Sequence, residues 1–348
     1  MTSLNGQITN SQLKGSSYLI YGWSCDKNGK SFDSFRILDT EGTVISDYLV
    51  KKRSKLCDEL GKYIKLGSDI LYSAFEIEIP LKELNGFSGK RIQIVPFRED
   101  SAGLPMQWII EPKSPFPNQG LIDLVGGGNE NTFLRVGFEF LNYFINKVKL
   151  SRSASILDIG CGVGRIAYAL TSFLNEDGKY EGFDISPKAI EWAQREISSR
   201  YDNFAFSHFD LNHRLYNAEG EKSLNGFTLP YSDNSFDFIF LTSVFTHLSA
   251  EEIKHYLKEI ERILKHGAVC LMTAFIKEEG IHDIFKYEWS GGFTNNLKNP
   301  ESAVAYEKNI FHSWISELNL SEINYFPGYW KSNKFTDTYQ DMFLVTKN

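Results

Sequence analysis

Hydrophobic positions recur along this chain with two different periods, and the change falls near residue 113. Before it the period is two. Phe75, Ile77, Ile79 and Leu81 alternate with Glu76, Glu78 and Pro80, as in a strand with one buried face. Tyr18 to Trp23 predicts another strand. Phe35 to Leu38 and Val44 to Leu49 flank Asp39-Thr40-Glu41-Gly42, a hairpin signal. Arg91 to Phe97 and Gln107 to Ile110 complete about six short strands, which predicts an antiparallel β-sandwich over 1–113. Only Lys51 to Lys65 departs from the pattern.

Pro112, Pro115, Pro117 and Gly120 mark a boundary and Gly126-Gly127-Gly128 a loop, so 114–130 reads as a linker. Beyond it, helical spacing alternates with apolar runs. Phe133, Leu134, Val136, Phe140, Leu141, Phe144, Ile145 and Val148 predict a helix over Asn131 to Leu150. Strands are predicted at Ile156 to Ile159, Tyr180 to Phe183, Phe204 to Phe209, Phe236 to Leu241 and Ala268 to Phe275. Between them, helical segments start at Arg165 and, with Pro at the first turn, after Ser186. Ser249 and Glu252 make a capping box for a third, which Gly267 is expected to stop. Strands alternating with helices predict a parallel sheet buried on both faces.

Composition adds limits. With 348 residues there is room for two domains, and 42% hydrophobic against 23% charged residues is ordinary for a globular protein. A formal net charge of -7 argues against nucleic acid as partner. Cys25, Cys57, Cys161 and Cys270 form no C-x-x-C pair, so neither a disulfide framework nor a zinc site is expected. Cys161, between two glycines, reads as a small filler. His255, His266, His282 and His312 show no ligand spacing, and no metal is expected. The chain shows no leader and no apolar run of spanning length, which predicts a cytoplasmic protein without membrane insertion.

The chemistry gathers around SILDIGCGVGRIA, Ser155 to Ala167. An apolar run ends in Gly160, Gly162 and Gly164, and a helix follows at once. Strand, tight glycine turn and helix N-terminus together receive a nucleotide-like ligand at the carboxyl end of a strand. Asp184 ends the next strand, 20 residues beyond Gly164, where a carboxylate can accept from both ribose hydroxyls. Asp210 ends the third strand and can accept from an adenine amino group, with Leu211 against the ring. Thr242 to Leu248 follows the fourth strand and contains His247, the first candidate for a general base because imidazole titrates near neutral pH.

DIGCGVG, FDISP, FDL at Phe209 to Leu211 and LPYSDNSFDFIF resemble, in order and spacing, the motifs of S-adenosylmethionine-dependent methyltransferases with a Rossmann-like fold. The resemblance covers about Leu121 to the C-terminus. It implies an α/β fold, a Rossmann-like seven-stranded methyltransferase sheet over 131–348, with a separate N-terminal antiparallel β-sandwich domain. It implies S-adenosyl-L-methionine as cofactor. Gly160, Gly162, Gly164 and Asp158 would hold the methionine part, Asp184 and Ile185 the ribose, Asp210 and Leu211 the adenine. SVFTHL, GYW and YQD resemble a subset linked to bacterial glycan and sugar methylation, and GxxxxxxGW ending at Trp23 resembles sandwich modules attached to glycan-modifying enzymes. That resemblance implies methyl transfer to a hydroxyl of a saccharide or glycan, with Trp330 stacking on a sugar and Asp341 accepting from its hydroxyls. Two other readings stand beside it. One is methylation of another small molecule or a protein. The other is a cofactor-binding pseudo-enzyme whose sandwich is the working module.

Overall fold

The computed structural model describes residues 5–14, 17–25, 32–39, 43–49, 74–80, 91–98, 101–102, 106–109, 117–171, 173–224, 226–278, 284–331 and 338–348. The chain divides into two compact units. One comprises 1–116, 127–147 and 168–175, and the other 117–126, 148–167 and 176–348.

Among its described residues the first unit carries eight strands, β1 (Asn5–Lys14), β2 (Ser17–Cys25), β3 (Ser34–Leu38), β4 (Val44–Leu49), β5 (Ala74–Pro80), β6 (Arg91–Arg98), β7 (Ser101–Ala102) and β8 (Met106–Ile109). They form two antiparallel sheets, β1-β2-β5 and β4-β3-β6-β7 with β8 also on β6. The alternation explains the packing. Phe75, Ile77 and Ile79 point to one face of β5 and join Ile20, Phe35, Ile37, Ile94 and Met106 in one apolar cluster. β1 is too polar for its alternation to show, yet it pairs with β2 along its length, with a bulge between Ile8 and Asn10. The hairpin tip, residues 40–42, the segment Lys51 to Lys65, and the side chains of Trp23 and Trp108 lie outside the described residues.

Helix α1 (Gln119–Asp123) belongs to the second unit and α2 (Glu130–Tyr143) to the first. The Asn129 side chain caps α2 by accepting from the Thr132 N–H at 3.0 Å, and a π-helical turn, Phe144–Val148, ends it.

The second unit continues through β9 (Ser155–Ile159), the start of α3 (Arg165–Leu170), whose residues from Tyr168 on belong to the first unit, then β10 (Lys179–Asp184), α4 (Pro187–Ala193), β11 (Phe204–His208), β12 (Phe236–Leu241), α5 (Ala250–Ile263) and β13 (Leu264–Lys277). After these come β14 (Tyr287–Trp289), β15 (Gly292–Thr294), β16 (Val304–Glu307), α6 (Lys308–Ser316), β17 (Leu320–Phe326) and β18 (Asp341–Lys347). Strands β11-β10-β9-β12-β13 are parallel neighbours, β18 lies antiparallel on β13, and β17 lies antiparallel on β18. This is a mostly parallel α/β sheet.

Seven strands are expected, and among the described residues this sheet has ten. β13 is 14 residues long and outlasts β18, its partner over Val269–Ala274. Its last residues, Phe275–Lys277, pair with β16, which carries β15 and β14. A second difference lies at Gly267. The helix ends at Ile263, and Gly267, at φ +73°, sits inside β13 where the register against β12 shifts. The glycine is spent on a bulge in the strand and not on the helix stop. The capping box at Ser249 and Glu252 has both of its bonds.

Candidate active site

The carboxyl ends of β9, β10 and β12 face one cavity of about 510 Å³. Gly160, Gly162 and Gly164 all have positive φ, between 53° and 75°, a region costly for any residue with a Cβ. A Cβ on Gly160 would stand 2.5 Å from Val244 Cγ2, and one on Gly162 would collide with Val125. The turn is tied to β10 because the N–H groups of Gly160 and Cys161 both donate to the Phe183 carbonyl, at 2.9 and 3.0 Å. Val125 is brought over it by Arg165, whose Nη1 donates to the Val125 carbonyl at 2.6 Å. Cys161 is buried against Gly182, as a filler.

Two carboxylates flank the turn. Asp184 accepts from the Gly162 N–H at 2.7 Å and from the Ser186 N–H at 2.8 Å, one on each oxygen. Burial pushes its pKa up, and those backbone bonds pull it back. A carboxylate has about four acceptor positions, so room remains for a ligand hydroxyl beside these bonds. Asp158 is buried at the end of β9. Its Oδ2 accepts from the Tyr180 hydroxyl at 2.7 Å, while its Oδ1 has no partner. Burial pushes its pKa up to about 8.

That orphaned oxygen in the cavity wall suits an ammonium group, and it predicts a pH dependence. An acid held above its unfolded value keeps its proton in the folded state. Asp158 therefore lowers stability progressively as pH rises from about 4 toward about 8. A bound cation restores the ionised form. Affinity for S-adenosylhomocysteine should then rise by up to about tenfold per pH unit below 8, and Asp158→Asn should flatten this slope. Calorimetry at pH 6, 7 and 8 checks it; an equal slope in the variant would refute the assignment.

At the end of β12, Ser243 has φ +61°, a strained position for a residue with a side chain. Its N–H donates to Thr273 Oγ1 at 2.8 Å, and Thr273 in turn donates to Gln340 Oε1 at 2.7 Å. Gln340 lines the cavity, and this chain orients its amide. His247 follows in the turn Phe245–His247, half-buried in the wall, and burial lowers its pKa. Its Nδ1 lies 2.8 Å from the Glu301 carbonyl and its Nε2 3.3 Å from the Tyr216 hydroxyl.

Asp158, Gly160, Gly162, Asp184, Ile185, Leu211 and His247 thus meet in one cavity, and Gly164, Asp210, Trp330 and Asp341 do not line it. Gly164 packs under Ile197 and Phe206. The Asp210 carboxylate turns into its own loop, accepting from Asn217 Nδ2 at 3.1 Å and the Glu221 N–H at 3.3 Å. Asp341 has no exposed surface and is engaged on both oxygens, so no lone pair is left for a sugar. Trp330 donates to it at 2.6 Å and packs edge-on against Phe275 and Phe285. Tyr216 escaped the sequence reading because it stands in a polar loop with no motif around it, and Gln340 because in YQD its neighbour Asp341 was taken as the functional residue. Among the described residues, no cluster of His, Cys, Asp and Glu could hold a metal, and no helix is long and apolar enough to cross a membrane.

A glycine turn at the end of the first parallel strand, an acid at the end of the second and a histidine-bearing turn after the fourth line one crevice, an arrangement similar to the ligand crevice of Rossmann-like S-adenosylmethionine-dependent methyltransferases. Residues 150–319 match the family model described as a methyltransferase domain. The chain is 28% identical over 162 residues to a demethylmenaquinone methyltransferase of Lactiplantibacillus plantarum, covering 45% of this chain and 62% of that protein. It is 26% identical over 174 residues to a sterol 24-C-methyltransferase of Aspergillus fumigatus, covering 48% and 42%. The chain therefore spans less than two thirds of the length of these curated relatives. A solved methyltransferase from Methanosarcina mazei superposes with a TM-score of 0.43 at 20% identity, over 59% of this chain and 96% of that one. The cofactor of this domain is S-adenosyl-L-methionine, and the unpartnered Asp158 Oδ1 and the tight glycine turn suit its aminoacyl end.

Proposed function

We propose that this protein transfers a methyl group from S-adenosyl-L-methionine to a small, largely apolar acceptor seated in the same cavity. The observation that carries the reading is the single cavity in which Asp158, the glycine turn and Asp184 share walls with His247. When bound, the cofactor supplies a methyl group already activated on a sulfonium. Asp158, Gly160 and Gly162 hold its methionine part, Asp184 and Ile185 its ribose, and Leu211 packs on its adenine. The remaining task is to place the acceptor and exclude water. Leu124, Val125, Leu215, Val244, Phe275 and Ala303 give the wall an apolar character, which favours an apolar acceptor over a saccharide. The names of the curated relatives, acting on demethylmenaquinone and a sterol, point the same way. The glycan reading rested on the SVFTHL, GYW, YQD and GxxxxxxGW resemblances, and the two residues it assigned to the sugar, Trp330 and Asp341, stand outside the cavity. Residues 1–113 are proposed as an accessory module, on the strength of their own two-sheet core.

Calorimetry with S-adenosylhomocysteine tests the cofactor site. Transfer of labelled methyl to a panel of hydroquinones, phenols, sterols and nucleotide sugars tests the acceptor. Turnover confined to the apolar members is expected; turnover confined to the sugars would overturn the reading.

A further inference from the structure

The two hydrogen bonds of His247 fix where its proton sits. A backbone carbonyl can only accept, so Nδ1, 2.8 Å from the Glu301 oxygen, carries the hydrogen. The lone pair is then on Nε2, and it is taken. The Tyr216 hydroxyl donates to it at 3.3 Å, and the two rings meet edge-on with centroids 5.2 Å apart. Tyr216 is 45% exposed and lines the cavity. An acceptor entering the site therefore meets the phenol oxygen before it meets the imidazole.

The loop that carries Tyr216 is built to hold it. His213 donates from Nε2 to the His247 carbonyl at 3.1 Å, and its Nδ1 accepts from the Leu215 N–H at 3.3 Å. The Asp210 carboxylate closes the loop through Asn217 and Glu221. Gly220 passes so close to Leu211 that a Cβ would stand 2.6 Å from its backbone carbon and oxygen. The groups facing the pair are His213, the Glu301 carboxylate 3.8 Å from His213 Nδ1, and Asp184, whose charge disfavours a tyrosinate.

We propose that Tyr216 is the catalytic residue that takes the acceptor's hydroxyl proton while handing its own proton to His247 Nε2, and that the acceptor carries an acidic ring hydroxyl, as phenols and hydroquinones do. This rests on the methyl-transfer reading above. The acceptor O–H bond breaks, and its electron pair stays on the acceptor. A new O–H bond forms on Tyr216 as its old one breaks, and Nε2 becomes protonated. The imidazolium keeps its Nδ1 bond to Glu301. The chemistry selects the class. The net transfer runs from the acceptor hydroxyl to His247 Nε2, a gap of about 3–4 pK units for an ordinary phenol, smaller for a more acidic ring hydroxyl and much larger for a sugar alcohol. Loss of the proton also enriches the ring carbons beside the oxygen, so the same device serves transfer to oxygen or to carbon.

The probe is 4-nitrophenol, whose absorption reports ionisation directly, added to the full chain saturated with S-adenosylhomocysteine. At a pH about one unit below that at which the free probe is half ionised, the bound probe should show the phenolate band. In Tyr216→Phe, and equally in His247→Gln, the displacement should fall at least about tenfold while S-adenosylhomocysteine affinity stays within about twofold. The double variant should be no worse than either single one, as for groups that act as a unit. A displacement retained in Tyr216→Phe would mean that Nε2 meets the acceptor itself, and would overturn the proposal. So would a probe that stays protonated in the wild type, or that does not bind. Failure of the wild type to bind S-adenosylhomocysteine would instead strike the methyl-transfer reading.

Discussion

Asp341→Ala should destabilise the second unit by about 3–5 kcal/mol, the usual cost of removing one partner from a buried ion pair. The carboxylate has no exposed surface. Its Oδ1 accepts from the Tyr325 hydroxyl at 2.8 Å and the Gly328 N–H at 3.0 Å, and pairs with Lys331 Nζ at 2.8 Å. Its Oδ2 accepts from the Ile276 N–H at 2.9 Å and from Trp330 Nε1. Truncation strands these donors in the interior and leaves Lys331, 6% exposed, with Glu278 as its remaining carboxylate partner. Asn keeps the shape and one acceptor oxygen, so Asp341→Asn should lose less. Urea unfolding monitored by fluorescence measures both; a loss under about 1 kcal/mol for Ala would show that the network contributes little.

Asp184→Ala should weaken S-adenosylhomocysteine binding by about 100-fold. The figure corresponds to one charge-assisted hydrogen bond to ribose at the upper end of its usual strength. The same substitution strips the acceptor from the N–H groups of Gly162 and Ser186, so the glycine turn loosens as well. Asp184→Asn separates the two effects, since an amide oxygen still accepts one of them. Calorimetry on the three proteins reads this; an unchanged affinity in Asp184→Ala would contradict the ribose role.

What could be read from the sequence was local. The glycine turn, the acid at the end of β10 and the capping box at Ser249 need only a few neighbouring residues to define their geometry, and the structure places them as expected. The alternation in Phe75 to Ile79 was legible for the same reason. β14, β15 and β16 are three or four residues each, too short for a period to show. Asp341 was chemically well chosen as a hydrogen-bond acceptor, but its partners come from Ile276 on a distant strand as well as from nearby loops. Whether a carboxylate faces solvent or a lysine is decided by that tertiary context. Gly267 illustrates the opposite case: a glycine expected to stop a helix instead has its positive φ inside a strand.

The turn Pro300–Ser302 reaches His247 through a peptide oxygen, not through the Glu301 side chain. Point mutation can exchange the side chain at 301 for any other and leave that contact in place. The choice of which His247 nitrogen carries the hydrogen is therefore insulated from amino-acid drift at this position and exposed to insertions or deletions that re-route the main chain. Laboratory evolution of acceptor choice would do well to diversify loop length here before residue identity.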